Sequence, residues 1–314
     1  MSREEFLWCE KYRPQIIDEC ILPEQLKDTF KQYVEQGQLP NFIFSGGAGV
    51  GKTTVARALC NEIGADYLFI NASENGGIDV LRNKIKSYAS SVSLESGGVK
   101  VVILDEADYL EQHSTQPALR SFIEEFSNNC RFILTCNFKN RIIQPLHSRC
   151  AVVEFRIESK DKPKIAAQFY RRVVEVLEKE QVNFDNKVVA KVVETYFPDF
   201  RRVLNELQRY SVSGKIDTGI LANLSDESMQ ELVGYLKAKD FVKARSWVAR
   251  NSDIETSVLF RRLYDNAVDY LEGTSIPQMV LILADYQYKA AFVADIEVNN
   301  VAALTEIMAS CKFK

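Results

Sequence analysis

The segment Gly46-Gly47-Ala48-Gly49-Val50-Gly51-Lys52-Thr53 constrains this chain more than any other. It satisfies the pattern G-x-x-x-x-G-K-[ST] between an apolar run, Phe42–Ser45, and a helical stretch, Thr54–Ile63. That context predicts a strand, a glycine-rich turn and a helix N-terminus in succession. Glycines let successive backbone N–H groups turn toward one point, and the helix start adds positive potential, so the turn suits phosphate oxygens. Lys52 is expected to reach the β- and γ-phosphates of a nucleotide, and the Thr53 hydroxyl to ligate Mg2+. The whole loop, from Gly46 through Thr53 and on to Thr54 at the helix start, forms the expected nucleotide contact.

A second run, Val101-Val102-Ile103-Leu104-Asp105-Glu106-Ala107-Asp108, reads as a buried strand that delivers carboxylates to its C-terminal end. Asp105 is placed to hold Mg2+ directly or through water, and Glu106 to orient and deprotonate an attacking water. Alone, acids after a strand are ordinary loop solvation. Combined with the phosphate loop upstream, they point to hydrolysis rather than to binding only. Asp108 is expected to cap the segment that follows. The next strand, Arg131–Asn137, ends on Asn137, whose amide would reach a γ-phosphate or the attacking water if adjacent strands end side by side. The alternative for a strand-ending Asn is a turn former.

The chain has 314 residues, 46% apolar and 26% charged, and that length favours two or three domains over one. Runs such as Phe42–Phe44 and Val101–Leu104 fall far short of the roughly 20 apolar residues needed to span a bilayer. Met1-Ser2-Arg3-Glu4-Glu5-Phe6 lacks a basic head followed by an apolar stretch, so no secretory signal is read and a cytoplasmic setting is expected. Seven cysteines without a C-x-x-C pair read as reduced, mostly buried thiols rather than disulfides or a zinc site. Two histidines, His113 and His147, leave little for a His-based centre. A net charge of −4 argues against wholesale coating of nucleic acid, although a local basic stripe can sit on an acidic protein.

The first half alternates short apolar runs with amphipathic stretches, the pattern of a parallel sheet with helical crossovers. Expected strands are Phe42–Ser45, Tyr67–Asn71, Val101–Leu104, Phe132–Thr135 and Val152–Phe155. Ligands bind beyond the C-terminal strand ends of such sheets. After about residue 156 the strand pattern stops. Helices are expected at Lys160–Gln181, Asp185–Phe197 and Phe200–Ser211, then at Met229–Lys237, Asp240–Arg250, Glu255–Leu271, Pro277–Tyr288 and Val298–Ser310. The expected division is an α/β nucleotide-binding domain (1–156), a small helical domain (157–223) and a second helical domain (224–314).

Several further segments make the chain similar to the replication-factor-C-like clamp loaders of the AAA+ class. Trp8-Cys9-Glu10-Lys11-Tyr12-Arg13-Pro14 resembles the opening segment of that family. Asn71-Ala72-Ser73, Leu104–Asp108, Ser148-Arg149-Cys150 and Pro198–Gln208 resemble its further boxes, in the same order along nearly the whole chain. Lys11–Pro14 followed by Ile17–Pro23, together with Phe197–Arg201, is most similar to the ATPase subunits of the loaders of T4-like bacteriophages. The scattered cysteines depart from the bacterial branch, which often carries a zinc module.

The resemblance implies an AAA+ P-loop ATPase domain with a parallel sheet, followed by a helical lid and a helical collar that assembles subunits. It implies ATP and Mg2+ as ligands and a place for Lys11, Tyr12, Arg13 and Pro14 along the base and ribose. Arg201 would be a second sensor of the bound triphosphate; only one of Arg201 and Arg202 can face the cleft. Arg149 would be an arginine finger serving a neighbouring subunit's site. The implied partners are further copies of the chain, a different small subunit, a ring-shaped sliding clamp and primer–template DNA, in a host bacterial cytoplasm and with no membrane.

A loader that grips DNA through phosphates needs cations along an inner surface. The resemblance implies that the helix after Asn71-Ala72-Ser73 faces DNA; Arg82 and Lys86 share one face of it, with Lys84 rotated away, and are the expected DNA contacts. The alternative is a solvated basic helix. Arg120 is a further candidate for coupling the DNA surface to the ATP site. The polar run from Ser90 to Gly98 falls where the resemblance implies a clamp-contacting segment, so Val92 and Leu94 are the expected clamp contacts, or else pack back onto the domain. The expected activity is that of a DNA-dependent ATPase that opens a ring clamp and loads it onto primer–template DNA. Alternatives are a non-hydrolysing scaffold subunit of the same machine, or another AAA+ DNA-remodelling motor such as a branch-migration helicase.

Overall fold

The computed structural model describes residues 6–74, 78–90, 100–212, 214–216, 226–251 and 254–314. The chain divides into two compact units, Met1–Ile216 and Asp217–Lys314. The first is built on five parallel strands: β1 (Phe42–Ser45), β2 (Asp66–Asn71), β3 (Lys100–Asp105), β4 (Cys130–Cys136) and β5 (Ala151–Glu154). Their order across the sheet is β2-β3-β4-β1-β5. The helices that precede and connect them are α1 (Trp8–Lys11), α2 (Glu24–Gln36), α3 (Lys52–Glu62), α4 (Ile78–Ser90), α5 (Thr115–Glu125) and α6 (Gln144–His147).

The strands read as continuous apolar runs because both faces of a parallel sheet are covered. Phe42, Phe44, Val101, Ile103 and Ile133 face α2 and α3, packing on Phe30, Val55 and Leu59. Ile43, Val102, Leu104, Phe132 and Leu134 face α4 and α5, packing on Ile85, Leu119 and Phe122. The helix after β1 therefore lies on one face and those after β2 and β3 on the other. Connections change side at β1, and a crevice opens beyond its C-terminal end. Register pairs Ser45 with Cys136 and Asn71 with Asp105, so the strand ends form one edge.

Three helices complete the first unit: α7 (Lys162–Lys179), α8 (Asn186–Tyr196) and α9 (Phe200–Ser211). Asp185 and Asp199 cap the last two by accepting the N–H groups of Lys187 (2.8 Å) and Arg202 (3.0 Å). Strand structure does not stop at residue 156. Asn183–Phe184 and Lys215–Ile216 form a parallel pair of two residues each, too short to leave an alternating pattern in sequence.

The second unit packs α10 (Asp226–Lys237), α11 (Phe241–Arg250), α12 (Thr256–Asp265), α13 (Ala267–Tyr270), α14 (Ile276–Ala290) and α15 (Ile296–Ser310). Its core includes Leu232, Trp247, Leu263, Met279 and Ile307. The single helix expected over Glu255–Leu271 is instead broken at Asn266, whose backbone leaves helical geometry at φ −98°, ψ 7°. Among the described residues no helix is long and apolar enough to cross a membrane.

Candidate active site

The loop that leaves β1 turns through two left-handed glycines, Gly49 (φ 68°) and Gly51 (φ 94°), before α3 begins at Lys52. Gly49 has a second constraint. A Cβ there would come within 1.7 Å of Asp199 Oδ1, and its carbonyl accepts the Phe200 N–H at 3.1 Å. Lys52 Nζ donates to the carbonyls of Gly46 (2.9 Å) and Gly47 (2.7 Å) and to Asn137 Oδ1 (2.9 Å). Burial pushes the Lys52 ammonium below its ordinary pKa, with nearby Cys136, Asp105 and Asp108 opposing and Arg201 reinforcing that shift.

The end of β3 lies directly beside this loop. Thr53 and Thr135 both donate hydroxyl hydrogens to Asp105 Oδ1, at 2.7 Å and 2.6 Å. The Glu106 N–H in turn donates to Thr135 Oγ1 at 3.1 Å. Glu106 adopts φ 57°, uncommon for a residue with a Cβ, and that turn carries it into the cavity lining. Among the described residues its carboxylate has no hydrogen-bond or ion-pair partner. A hydroxyl and a carboxylate side by side are hard oxygen donors of the kind Mg2+ accepts. Among the described residues, no group of three or more His, Cys, Asp or Glu stands where it could hold a metal ion.

Asp108 does not cap the segment that follows it. It is 6% exposed, and its Oδ2 accepts the backbone N–H groups of Asn137 and Phe138, each at 3.2 Å. The carboxylate thus ties the end of β4 to the end of β3 and holds the turn that presents Asn137 to Lys52. Thr135 and Asp108 were both within reach of sequence reasoning, since each is polar at the C-terminal end of a buried apolar run.

The N-terminal segment and α9 contribute the other walls. Tyr12, Arg13 and Pro14 line the cavity with Thr54 and Arg201. The Arg13 guanidinium forks onto the Glu10 carboxylate and donates to Thr54 Oγ1 at 3.2 Å. Lys11 departs from expectation: its ammonium turns away from the lining to Glu180, at 2.6 Å. Of the two adjacent arginines, Arg201 lines the cavity while Arg202 stacks over the Tyr196 ring, 4.8 Å from its centroid.

The remaining expected residues stand apart from this lining. Arg149 donates to Glu124 Oε1 (2.8 Å) and to the Pro145 carbonyl (2.8 Å). On α4, Leu81 and Ile85 are buried, whereas Arg82 and Lys86 are exposed; Lys84 is exposed as well. Arg120 is half exposed beside Glu124. Gln116 of the same helix is fully buried; it donates to the Leu110 and Arg141 carbonyls and accepts the Ile143 N–H at 2.8 Å. Val92 and Leu94 lie outside the described residues.

Comparison with known proteins agrees with this layout. Residues 42–158 match the family described as ATPase family associated with various cellular activities (AAA). Residues 161–222 match the family described as sliding-clamp-loader large subunit, AAA+ ATPase lid domain. A solved structure of Thermotoga maritima RuvB in mutant form shares the fold, with TM-score 0.53 at 16% identity over 80% of this chain and 85% of that one. The replication factor C small subunit of Archaeoglobus fulgidus is 36% identical over 78% of this chain and 77% of its own. The sliding-clamp-loader large subunits of Escherichia phage RB69 and Enterobacteria phage T4 are 37% and 34% identical, each over 100% of this chain and 99% of their own. With a phosphate loop, an Asp-Glu strand end and likeness running from end to end, the chain belongs to the AAA+ family of sliding-clamp-loader large subunits.

Proposed function

We propose that this chain is the ATP-hydrolysing subunit of a machine that opens a ring-shaped clamp and places it on primer–template DNA. The observation that carries this reading is the convergence of Lys52, Thr53, Asp105, Glu106 and Arg201 around one cavity, within a family of clamp-loader subunits. In this reading the loop amides and Lys52 hold the triphosphate. Lys52 would exchange its contacts to the Gly46 and Gly47 carbonyls for phosphate oxygens, with Asn137 steering it. The Glu106 carboxylate, without a partner among the described residues, takes the proton from a water aligned on the γ-phosphorus. Mg2+, held by Thr53 and Asp105, would neutralise charge on the phosphate oxygens. Catalysis is then positional and electrostatic.

Arg149 does not line the cavity of its own chain, as suits a cation that serves a neighbour's site. Its pairing with Glu124 would be exchanged for a γ-phosphate across an interface. The proposed assembly contains several copies of this chain with one different small subunit, joined through a collar at 224–314, with the nucleotide domain at 1–156 and the lid at 157–223. Arg82 and Lys86 would meet DNA phosphates, and Val92 with Leu94 would meet the clamp. The setting is the host bacterial cytoplasm.

The test is steady-state ATP hydrolysis by the complex with its small subunit, in the presence of a ring clamp and DNA of different forms. Stimulation by primed DNA plus clamp supports the reading. Stimulation by four-way junctions alone would favour a different motor, and ATP binding without turnover would favour a scaffold.

A further inference from the structure

Glu180 directly follows α7 and belongs to no motif. Its Oε1 accepts hydrogen bonds from Lys11 Nζ and from the Tyr12 hydroxyl, both at 2.6 Å, over 169 and 168 residues of sequence. Burial opposes ionisation of Glu180, but the hydrogen bonds from Lys11 and Tyr12 prevail and hold its carboxyl below the ordinary range. The Tyr12 ring also lies 5.3 Å from Lys11 Nζ and 5.9 Å from Lys179 Nζ, measured to its centroid. The hydroxyl and the ring of Tyr12 are therefore both held by charged groups, two of them at the end of α7.

The segment around Tyr12 changes anchor at this point. Before it, the Trp8 N–H donates to Gln208 Oε1 (3.0 Å), and Gln208 Nε2 donates to the Phe6 carbonyl (2.7 Å), which fastens the segment to α9. After it, Arg13 donates to Thr54 Oγ1 (3.2 Å) and the Ile17 N–H to Glu62 Oε2 (2.7 Å), which fastens it to α3. The hand-over falls between Tyr12 and Arg13, both in the cavity lining, whereas Glu180 stands outside that lining.

We infer that Glu180 is a positioning residue for nucleotide binding: it fixes Tyr12 in the cavity wall, so that this wall is complete only while the end of α7 is docked on the N-terminal segment. The inference rests on the nucleotide reading of the cavity given above. A side chain ordered beforehand need not be ordered by the ligand, and that saving appears in affinity rather than in the chemical step.

The test is titration of the full chain with a fluorescent ATP analogue, with melting temperature and kcat of the reconstituted complex at saturating ATP measured alongside. Glu180→Ala should weaken binding by roughly three- to tenfold while kcat stays within about twofold. Glu180→Gln keeps an acceptor for the Tyr12 hydroxyl and should recover most of the loss. Tyr12→Phe should weaken binding to a similar extent, and Tyr12→Phe combined with Glu180→Ala should bind no worse than Glu180→Ala alone. If Glu180→Ala does not fold, Tyr12→Phe and Glu180→Gln carry the comparison: a loss in the first with near-normal binding by the second supports the inference, and unchanged affinity in Tyr12→Phe overturns it. Unchanged affinity in Glu180→Ala, or additive losses in the double variant, overturn it while Lys52→Ala abolishes binding. Normal binding by Lys52→Ala would overturn the nucleotide reading of the cavity, and this assignment with it.

Discussion

The Thr53 hydroxyl donates a 2.7 Å hydrogen bond to Oδ1 of Asp105, across 52 residues of sequence. That bond joins the start of α3 to the end of β3 and sets a hydroxyl and a carboxylate oxygen side by side. Asp105→Asn keeps an acceptor for Thr53 and Thr135 but removes the charge that draws a divalent cation. The Mg2+ concentration giving half-maximal ATP hydrolysis should rise at least about tenfold, the lower end of what even outer-shell partners are worth. Binding of the ATP analogue in EDTA should be unchanged. A Mg2+ dependence like that of the parent chain would remove Asp105 from metal binding.

Glu106 lines the cavity with no partner among the described residues for its carboxylate. Glu106→Gln preserves its shape but cannot take a proton from water. Turnover should fall by about 10²–10⁴-fold, the usual worth of a general base, with the ATP analogue still bound. The variant should accumulate as an ATP-bound complex with clamp and DNA. Near-normal single-turnover hydrolysis would assign the base to another group.

Arg82 and Lys86 are exposed on the face of α4 next to the one that buries Leu81 and Ile85. If both contact DNA phosphates, replacing both with Ala should flatten the log–log salt dependence of DNA affinity by roughly one to two units, with no change in sequence preference. ATP binding should be retained. The measurement is DNA affinity by fluorescence anisotropy across a salt series, and an unchanged slope would turn this helix away from DNA.

Cys9 is the one cysteine of seven that is not buried. Burial raises all seven thiols, Cys9 and Cys311 included, those of Cys20, Cys60 and Cys150 to about 12 and those of Cys130 and Cys136 to about 11, so what sets Cys9 apart is its access to solvent. Iodoacetamide at pH 7.5 should therefore modify Cys9 first in the folded chain. Because Cys9 lines the cavity, a bound ATP analogue should slow that reaction several-fold, as read by peptide mass spectrometry. Equal rates with and without nucleotide would place the N-terminal segment outside the site.

Much of this arrangement was legible in the sequence because it is written locally. The phosphate loop and the Asp105-Glu106 pair are contiguous residues at strand ends, and apolar runs such as Phe42–Ser45 announce those strands. Contacts that bridge distant residues were not legible. Nothing near Glu180 in sequence signals that it receives Lys11 and Tyr12, and so Lys11 could be expected at the nucleotide. Asp108 reads as a helix cap because caps are the common fate of an acid there; only the alignment of β3 with β4 turns it toward the Asn137 amide. The break at Asn266 is a change of backbone conformation at one residue, which apolar periodicity does not register.

Hydrolysis in a cavity that one chain builds and a neighbour's Arg149 completes is tested most directly by mixing two inactive variants in the reconstituted complex. Lys52→Ala removes the phosphate lysine. Arg149→Ala removes the cation proposed to act in trans, which should cost about 10³-fold or more in rate if it acts as other arginine fingers do. After verified subunit exchange, one class of interface pairs an intact Lys52 cavity with an intact Arg149. DNA-stimulated ATP hydrolysis by the mixture is expected to rise well above that of either parent. A mixture as inactive as both parents would contradict a site shared between neighbouring chains.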